Sequence, residues 1–322
     1  MGESYPRLVG DIGGTHARWA WLPRAGAPLQ QVQVQPCVHS ASLLASAREY
    51  LAAHRLGQPR AAAIGIATPV TGDEVRMTNH PWHFSISELQ RALGVERCLV
   101  INDFTALALA LPVLGADEVR AVGRGTAVAG APIGLLGPGT GLGVSGLLPA
   151  PDGRFVTLSG EGGHVTLAAT DDREAAVLAL LRGRFGHVSA ERVLSGGGLV
   201  NLYDALARLD GVAPRELQPA DVTRAAVDGS DPHGAQAVRL FARVLGNVAG
   251  NLALTLGARG GIYIGGGIVP RLGAAFDDES FRQGFEHKGR FAGYLAAIPT
   301  WVITAATPAL VGAGRALDVM PA

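Results

Sequence analysis

One pattern is written twice in this chain, roughly 125 residues apart: an apolar strand, a glycine turn and further strands. The first copy runs through RLVGD (7–11), the turn in GDIGGTHAR, ARWAWL (17–22) and the period-two stretch QQVQVQP (30–36). The second runs through PIGLLGPGTG (132–141), LGVSGLL (142–148) and RFVTLS (154–159). Each copy is followed by helices and further strands. In the first half, a helix over 42–54 carries Leu43, Leu44, Ala47 and Leu51 on one side, and AAAIGIA (61–67) is a short buried strand. Ser85 and Glu88 have capping-box spacing, and the strand CLVIND (98–103) leads into the helix TALALAL (105–111). In the second half the pattern predicts helices near 172–184, 199–209 and 234–257, with the last one buried. Strands follow at 260–269 and 300–306, then a terminal helix at 308–318.

Strand triplets followed by strand–helix units predict two α/β domains of related plan with a cleft between them, a natural ligand site. The expected boundary lies near residue 112. Residues 1–112 plus about 303–322 form a small domain, and 113–302 a large one. A length of 322 residues suits two cores rather than one.

Charge and composition exclude several classes. Lys plus Arg equals Asp plus Glu, 27 each, so no global field recruits nucleic acid or an anionic membrane. No apolar run is long enough to span a bilayer, and the N-terminus lacks the basic start of a signal peptide. Cys37 and Cys98 are the only cysteines and stand far apart, which excludes a disulfide framework or cysteine zinc site and fits a reducing, cytoplasmic setting. Lys288 is the only lysine, so no P-loop GxxxxGK[ST] exists; in the polar stretch FEHKGRF it is expected in solvent. The chain has no Gly-x-Ser-x-Gly elbow and no HExxH. Gly141-x-Gly143-x-x-Gly146 fits a dinucleotide fingerprint formally, but a strand follows it where a helix is required.

Glycine is abundant, 45 residues, and clustered. In GDIGGTHAR the segment Gly10, Asp11, Ile12, Gly13, Gly14, Thr15 can wrap a phosphate with backbone amides, or form an ordinary hairpin. GPGTGLG, with Gly139, Thr140 and Gly141, repeats that chemistry, and two such hairpins suggest two clamps on one polyphosphate. The turn at Gly265, Gly266 and Gly267 can admit an adenine or ribose, or simply join a strand to a helix. Asn102 and Asp103 stand at the end of a buried strand, where open α/β sheets place ligand contacts. Asp103 can act as a base toward a sugar hydroxyl while Asn102 orients the sugar, or Asp103 can cap the next helix. Glycine spacing in GEGGH lets Glu161 and His164 face one space, where hydroxyl recognition suits them better than metal binding. Glu191 and Asn79 are further polar candidates: Glu191 by itself reads as a surface carboxylate, and Asn79 as an amide that can face the sugar or hold a turn.

GDIGGTHAR, MTNHPWHFSISEL, INDFTALALA, GPGTGLGV, GEGGHV, GHVSAERVLSGGGLVNLY, GNLAL, GGIYIGGGIVPR and FEHKGRF occur in the order seen in bacterial glucokinases, and the chain resembles that family over about residues 7–315. The resemblance implies an actin-like ATPase fold of two RNase-H-like domains, a homodimer, and ATP with Mg²⁺ as donor. It implies glucose as acceptor, phosphorylated at the 6-hydroxyl as the first step of glycolysis. By motif match Asp103 is the base, and Asn102, Glu161, His164 and Glu191 hold the sugar, with Asn79 a further substrate-binding candidate beside them. Gly10–Thr15 and Gly139–Gly141 bind phosphates, Gly265–Gly267 lies near adenosine, and Asp11 meets Mg²⁺ through water. Two residues depart from the family pattern: His16 replaces an Asn, and Gly197 a common Pro. The alternatives are a kinase for mannose or an amino sugar on this fold, or a non-catalytic actin-like nucleotide-binding protein.

Overall fold

The computed structural model describes residues 4–320. β1 (Arg7–Ile12), β2 (His16–Leu22) and β3 (Gln30–Pro36) form an antiparallel meander. β1 lies in the middle of its sheet and is buried almost throughout, whereas β3 at the edge leaves Val32 and Val34 exposed. α1 (Leu43–Ala53) starts at Ser42, whose hydroxyl accepts the Ala45 N–H, and buries Leu43 and Ala47 as its apolar stripe requires. β4 (Ala61–Ile66) is wholly buried. A short hairpin, β5 (Glu74–Arg76) with β6 (His83–Ser85), precedes α2 (Ile86–Leu93). Ser85 caps α2 and Gly94 ends it at φ 66°, a conformation that suits glycine. β7 (Arg97–Asn102) runs directly into α3 (Asp103–Ala110).

The chain continues through β8 (Val119–Val122), β9 (Ile133–Pro138), β10 (Leu142–Pro149) and β11 (Phe155–Ser159). Four helices follow: α4 (Asp172–Phe185), α5 (Gly196–Leu209), α6 (Pro219–Asp228) and α7 (Pro232–Leu256). The last part contains β12 (Ile262–Ile264), α8 (Ile268–Leu272), α9 (Asp278–Glu286), α10 (Ala292–Ala296), β13 (Thr300–Ile303) and α11 (Pro308–Val319).

Two compact units result. One takes in the chain to Leu114, Arg154–Ser159 and the chain from Ala305; the other takes in Gly115–Gly153 and Gly160–Thr304. The repeat read from the sequence is a repeat of topology. In the first unit β2-β1-β4-β7 are neighbours, with β1 antiparallel to β2 and parallel to β4, and β4 parallel to β7. In the second, β10-β9-β12-β13 repeat those relationships in the same directions, and β8 adds an antiparallel edge.

The first core gathers Leu8, Ile12, Trp19, Leu43, Tyr50 and Ile64. In the same unit α11 crosses α3 closely, because a Cβ at Gly312 would run into the Ala106 carbonyl oxygen. The second core is built around α7, which is buried along much of its length as expected. Gly246 and Gly284 let α7 and α9 meet backbone to backbone; a Cβ on either would strike the partner helix's carbonyls. Although α7 has 25 residues, no helix among the described residues is long and apolar enough to cross a membrane.

Three details differ from the sequence expectation. Lys288 is half-buried, not solvated: its Nζ donates to Asn247 Oδ1 on α7, and burial holds the amine below its ordinary pKa. α5 begins at Gly196, three glycines earlier than its apolar pattern, because the Ser195 hydroxyl caps it by accepting the Gly198 N–H. The elements β5, β6, β8, α6 and α9 carry too short or too polar a pattern to be read in advance.

Candidate functional site

In the first unit the candidate residues stand at the C-terminal ends of parallel strands. Asp11 lies beside Gly65 in the β1–β4 register, and Ile66 beside Asn102 in the β4–β7 register. That is the end of an open α/β sheet where ligands are received. Gly65 has no side chain to hold α3 away: a Cβ there would lie 3.1 Å from Ala106 Cβ and 3.5 Å from Asp103 Cα.

The β1–β2 turn is tied by Gly13 N–H to His16 O at 2.9 Å and by Cys37 N–H to Thr15 O at 2.8 Å. Gly14 abuts Asn79, whose Cβ would lie 2.9 Å from a Cβ at position 14, so the candidate amide borders the hairpin. Gly10 answers a packing demand, since Trp19 would lie 2.7 Å from its Cβ. The Asp11 carboxylate accepts from Arg18 Nη1 at 3.0 Å. Burial raises the Asp11 pKa, and the Arg18 charge and hydrogen bond offset part of that rise. Arg18 reads in the sequence only as a strand residue; the antiparallel β1–β2 register is what sets it opposite Asp11.

Of the two readings of Asn102-Asp103, the cap falls to Asn102. Its Oδ1 accepts the N–H groups of Phe104 at 2.9 Å and Thr105 at 3.2 Å. Asp103 opens the first turn, with Oδ1 accepting the Phe104 N–H at 2.9 Å.

In the second unit the loop after β9 is gripped from several sides. Gly196 N–H donates to Gly139 O at 2.9 Å, and Gly265 N–H to Leu136 O at 2.8 Å. Gly266, at φ 76°, lies so close to the Pro138 carbonyl that no Cβ fits. Gly139–Gly141 and Gly265–Gly267 are therefore in one neighbourhood. Glu161 precedes the 3-10 turn Gly162–His164 and Glu191 lies within the turn Ala190–Arg192. Ala190 N–H to Val165 O at 2.9 Å and Leu167 N–H to Val188 O at 3.0 Å bind these two turns side by side. Glu191 Oε2 accepts the Leu142 N–H at 2.8 Å, which places its carboxylate against the glycine–threonine turn. Gly163 packs on the Leu142 carbonyl and Gly162 on Val144. The turns that carry Glu161, His164 and Glu191 thus pack together against Gly137–Gly143, through contacts at Leu142, Gly163 and Gly196 that residue spacing alone does not announce.

A separate cavity of ≈ 810 Å³, lined by Arg184, Asp204, Arg208, Arg215 and apolar residues of α4 and α5, contains none of the candidate residues. Among the described residues no cluster of three or more His, Cys, Asp or Glu could hold a metal.

A family model described as Glucokinase matches residues 8–320. The chain belongs to the glucokinase family. A glucokinase of Aromatoleum aromaticum is 55% identical over 317 residues, covering 98% of this chain and 96% of that protein. The crystal structure of a glucokinase from an Antarctic psychrotroph is 36% identical with a TM-score of 0.89, covering 97% of this chain and 98% of that one. A ROK hexokinase from Thermus thermophilus, 20% identical, superposes with a TM-score of 0.68 over 98% of this chain and 99% of that one, a likeness of fold. The expected actin-like ATPase fold of two α/β domains is the fold of this glucokinase-family chain.

Proposed function

We propose that this chain transfers the γ-phosphoryl group of MgATP to the 6-hydroxyl of D-glucose, giving glucose 6-phosphate and ADP. The observation that carries this reading is that the turns bearing Glu161, His164 and Glu191 pack against the Gly137–Gly143 turn, in a chain that matches glucokinases over nearly its full length. Carboxylates and an imidazole recognise sugar hydroxyls, and the adjoining glycine turn can take phosphate on its amides.

In this reading Glu161, His164, Glu191, Asn79 and Asn102 hold the sugar. Asn102 acts through its amide N–H₂, because its oxygen already caps α3. Gly10–Thr15 and Gly139–Gly141 hold the phosphates, and Gly265–Gly267 adjoins adenosine. The bond from the γ-phosphorus to the bridging oxygen breaks, a bond to O6 forms, and Asp103 takes the O6 proton. Catalysis is then mostly alignment and charge stabilisation.

Asp11 is the protein's candidate Mg²⁺ residue. A single carboxylate already paired with Arg18 suits contact through water, with phosphate oxygens and water supplying the direct ligands. When bound, the ion would neutralise charge building on the phosphates. Assembly as a homodimer belongs to the same reading, rests on the family resemblance, and is checked by sedimentation.

A coupled assay with MgATP and glucose, mannose, fructose, N-acetylglucosamine or no sugar tests the proposal. Turnover with glucose far above the rest is the expected result. Turnover confined to another sugar, or none with any, overturns it.

A further inference from the structure

The Glu191 carboxylate is shared between two jobs. Its Oε2 accepts the Leu142 N–H at 2.8 Å and occupies the space that a Cβ at Gly141 would need. Among the described residues no hydrogen bond engages Oε1. Leu142 is the residue by which the chain leaves the glycine–threonine turn, and its carbonyl is covered by Gly163, from the turn that carries Glu161 and His164. One residue, Leu142, is therefore held through its N–H by the turn of Glu191 and through its carbonyl by the turn of Glu161 and His164.

We propose that Glu191 is a positioning residue that couples sugar occupancy to the geometry of the Gly139–Gly141 turn. The inference rests on the glucokinase reading of the site. A sugar hydroxyl donating to Oε1 fixes the side-chain torsions of Glu191 and hence Oε2. Fixing Oε2 holds the Leu142 N–H and the turn before it. Ordering done by the first ligand need not be repeated by the second, so each tightens the other by the same factor. A simple structural tether would behave otherwise: it would change nucleotide affinity equally with and without sugar.

The test is a binding cycle on the full-length protein. Affinity for Mg²⁺ with a non-hydrolysable ATP analogue is measured by calorimetry, with and without saturating glucose, alongside melting temperature. In the wild type glucose tightens nucleotide binding by about 5-fold or more. In Glu191→Ala that ratio falls to within about 2-fold of unity. Glu191→Gln retains most of it, because the amide oxygen accepts the same N–H, although its NH₂ now faces the sugar and the glucose KM rises. A wild-type ratio near unity, an unchanged ratio in Glu191→Ala, or a Gln variant as uncoupled as Ala overturns the proposal. Should Glu191→Ala fail to fold, Gly141→Ala carries the test: its methyl displaces Oε2 from Leu142, and a retained ratio overturns the proposal equally. Failure of the functional reading itself is separate, because it appears as absent glucose turnover in the wild type.

Discussion

The side-chain oxygen of Asn102 caps α3 by accepting the Phe104 N–H at 2.9 Å, in the position that Asp103 was a candidate to fill. The capping residue and the proposed base are therefore adjacent, and mutation can separate their effects. Asp103→Ala is expected to lower kcat by about 100- to 10,000-fold, the usual worth of a general base, with the glucose dissociation constant little changed. Asn102→Ala is expected to cost about 1 kcal/mol of stability through loss of the cap. Steady-state kinetics and thermal melts on both variants check the division; near-normal kcat in Asp103→Ala removes it from the chemistry.

Asp11 sits where burial raises its pKa and Arg18 only partly compensates. With the folded-state pKa above the unfolded one, ionisation costs the native state stability at pH above both values and nothing below both. Asp11→Asn should therefore melt higher than the wild type at neutral pH, and the gain should shrink as pH falls through the folded-state pKa. MgATP-dependent turnover should fall in the same variant. Melting curves from about pH 4, the ordinary carboxylate range, to about pH 8 decide it; a variant less stable than wild type at neutral pH refutes the electrostatic account.

Glycines in the second unit divide by the space around them. A methyl at Gly163 would meet the Leu142 carbonyl, while nothing lies within 4 Å of a Cβ at Gly197. Gly163→Ala is expected to cost about 1–3 kcal/mol and to raise the glucose KM by shifting Glu161 and His164. Gly197→Ala, in the first turn of α5, should stabilise by up to about 1 kcal/mol and leave kinetics alone. Equal melting temperatures for the two variants would contradict the packing.

Gly312 on α11 lets the Ala106 carbonyl of α3 approach where any Cβ would collide. Gly312→Ala should cost about 1–3 kcal/mol by overpacking, and it should also lower kcat because α3 carries Asp103 at its start. Thermal melts and kinetics on one preparation test both effects; lost stability with untouched kcat would mean that α3 keeps its place while α11 yields.

The strand–turn–strand hairpins at Gly10–Thr15 and Gly137–Gly143, the cap at Ser85, and the α1 and α7 helices were readable in the sequence. Their signals are local: side-chain periodicity, a capping hydroxyl, and glycine where the backbone must turn tightly. The repeat was readable for the same reason, because two similar local patterns imply two similar sheets. The three-residue strands β5 and β6 were not, since so short a segment has no period to detect. Lys288 was misplaced because its polar neighbours hide a partner, Asn247, that only the packing of α7 supplies.

What the sequence determined by itself was the kind of fold, the motif order and the residue types available for chemistry. The tertiary structure decided which of them meet. Glu191 reads as an ordinary carboxylate on a short turn until Ala190 pairs with Val165 and Leu142 finds its oxygen. Asn102 takes the cap of α3 because its oxygen, not that of Asp103, reaches both free amides of the first turn. Such contacts depend on backbone groups distant in sequence or on the direction of a side chain, and residue spacing along the chain encodes neither.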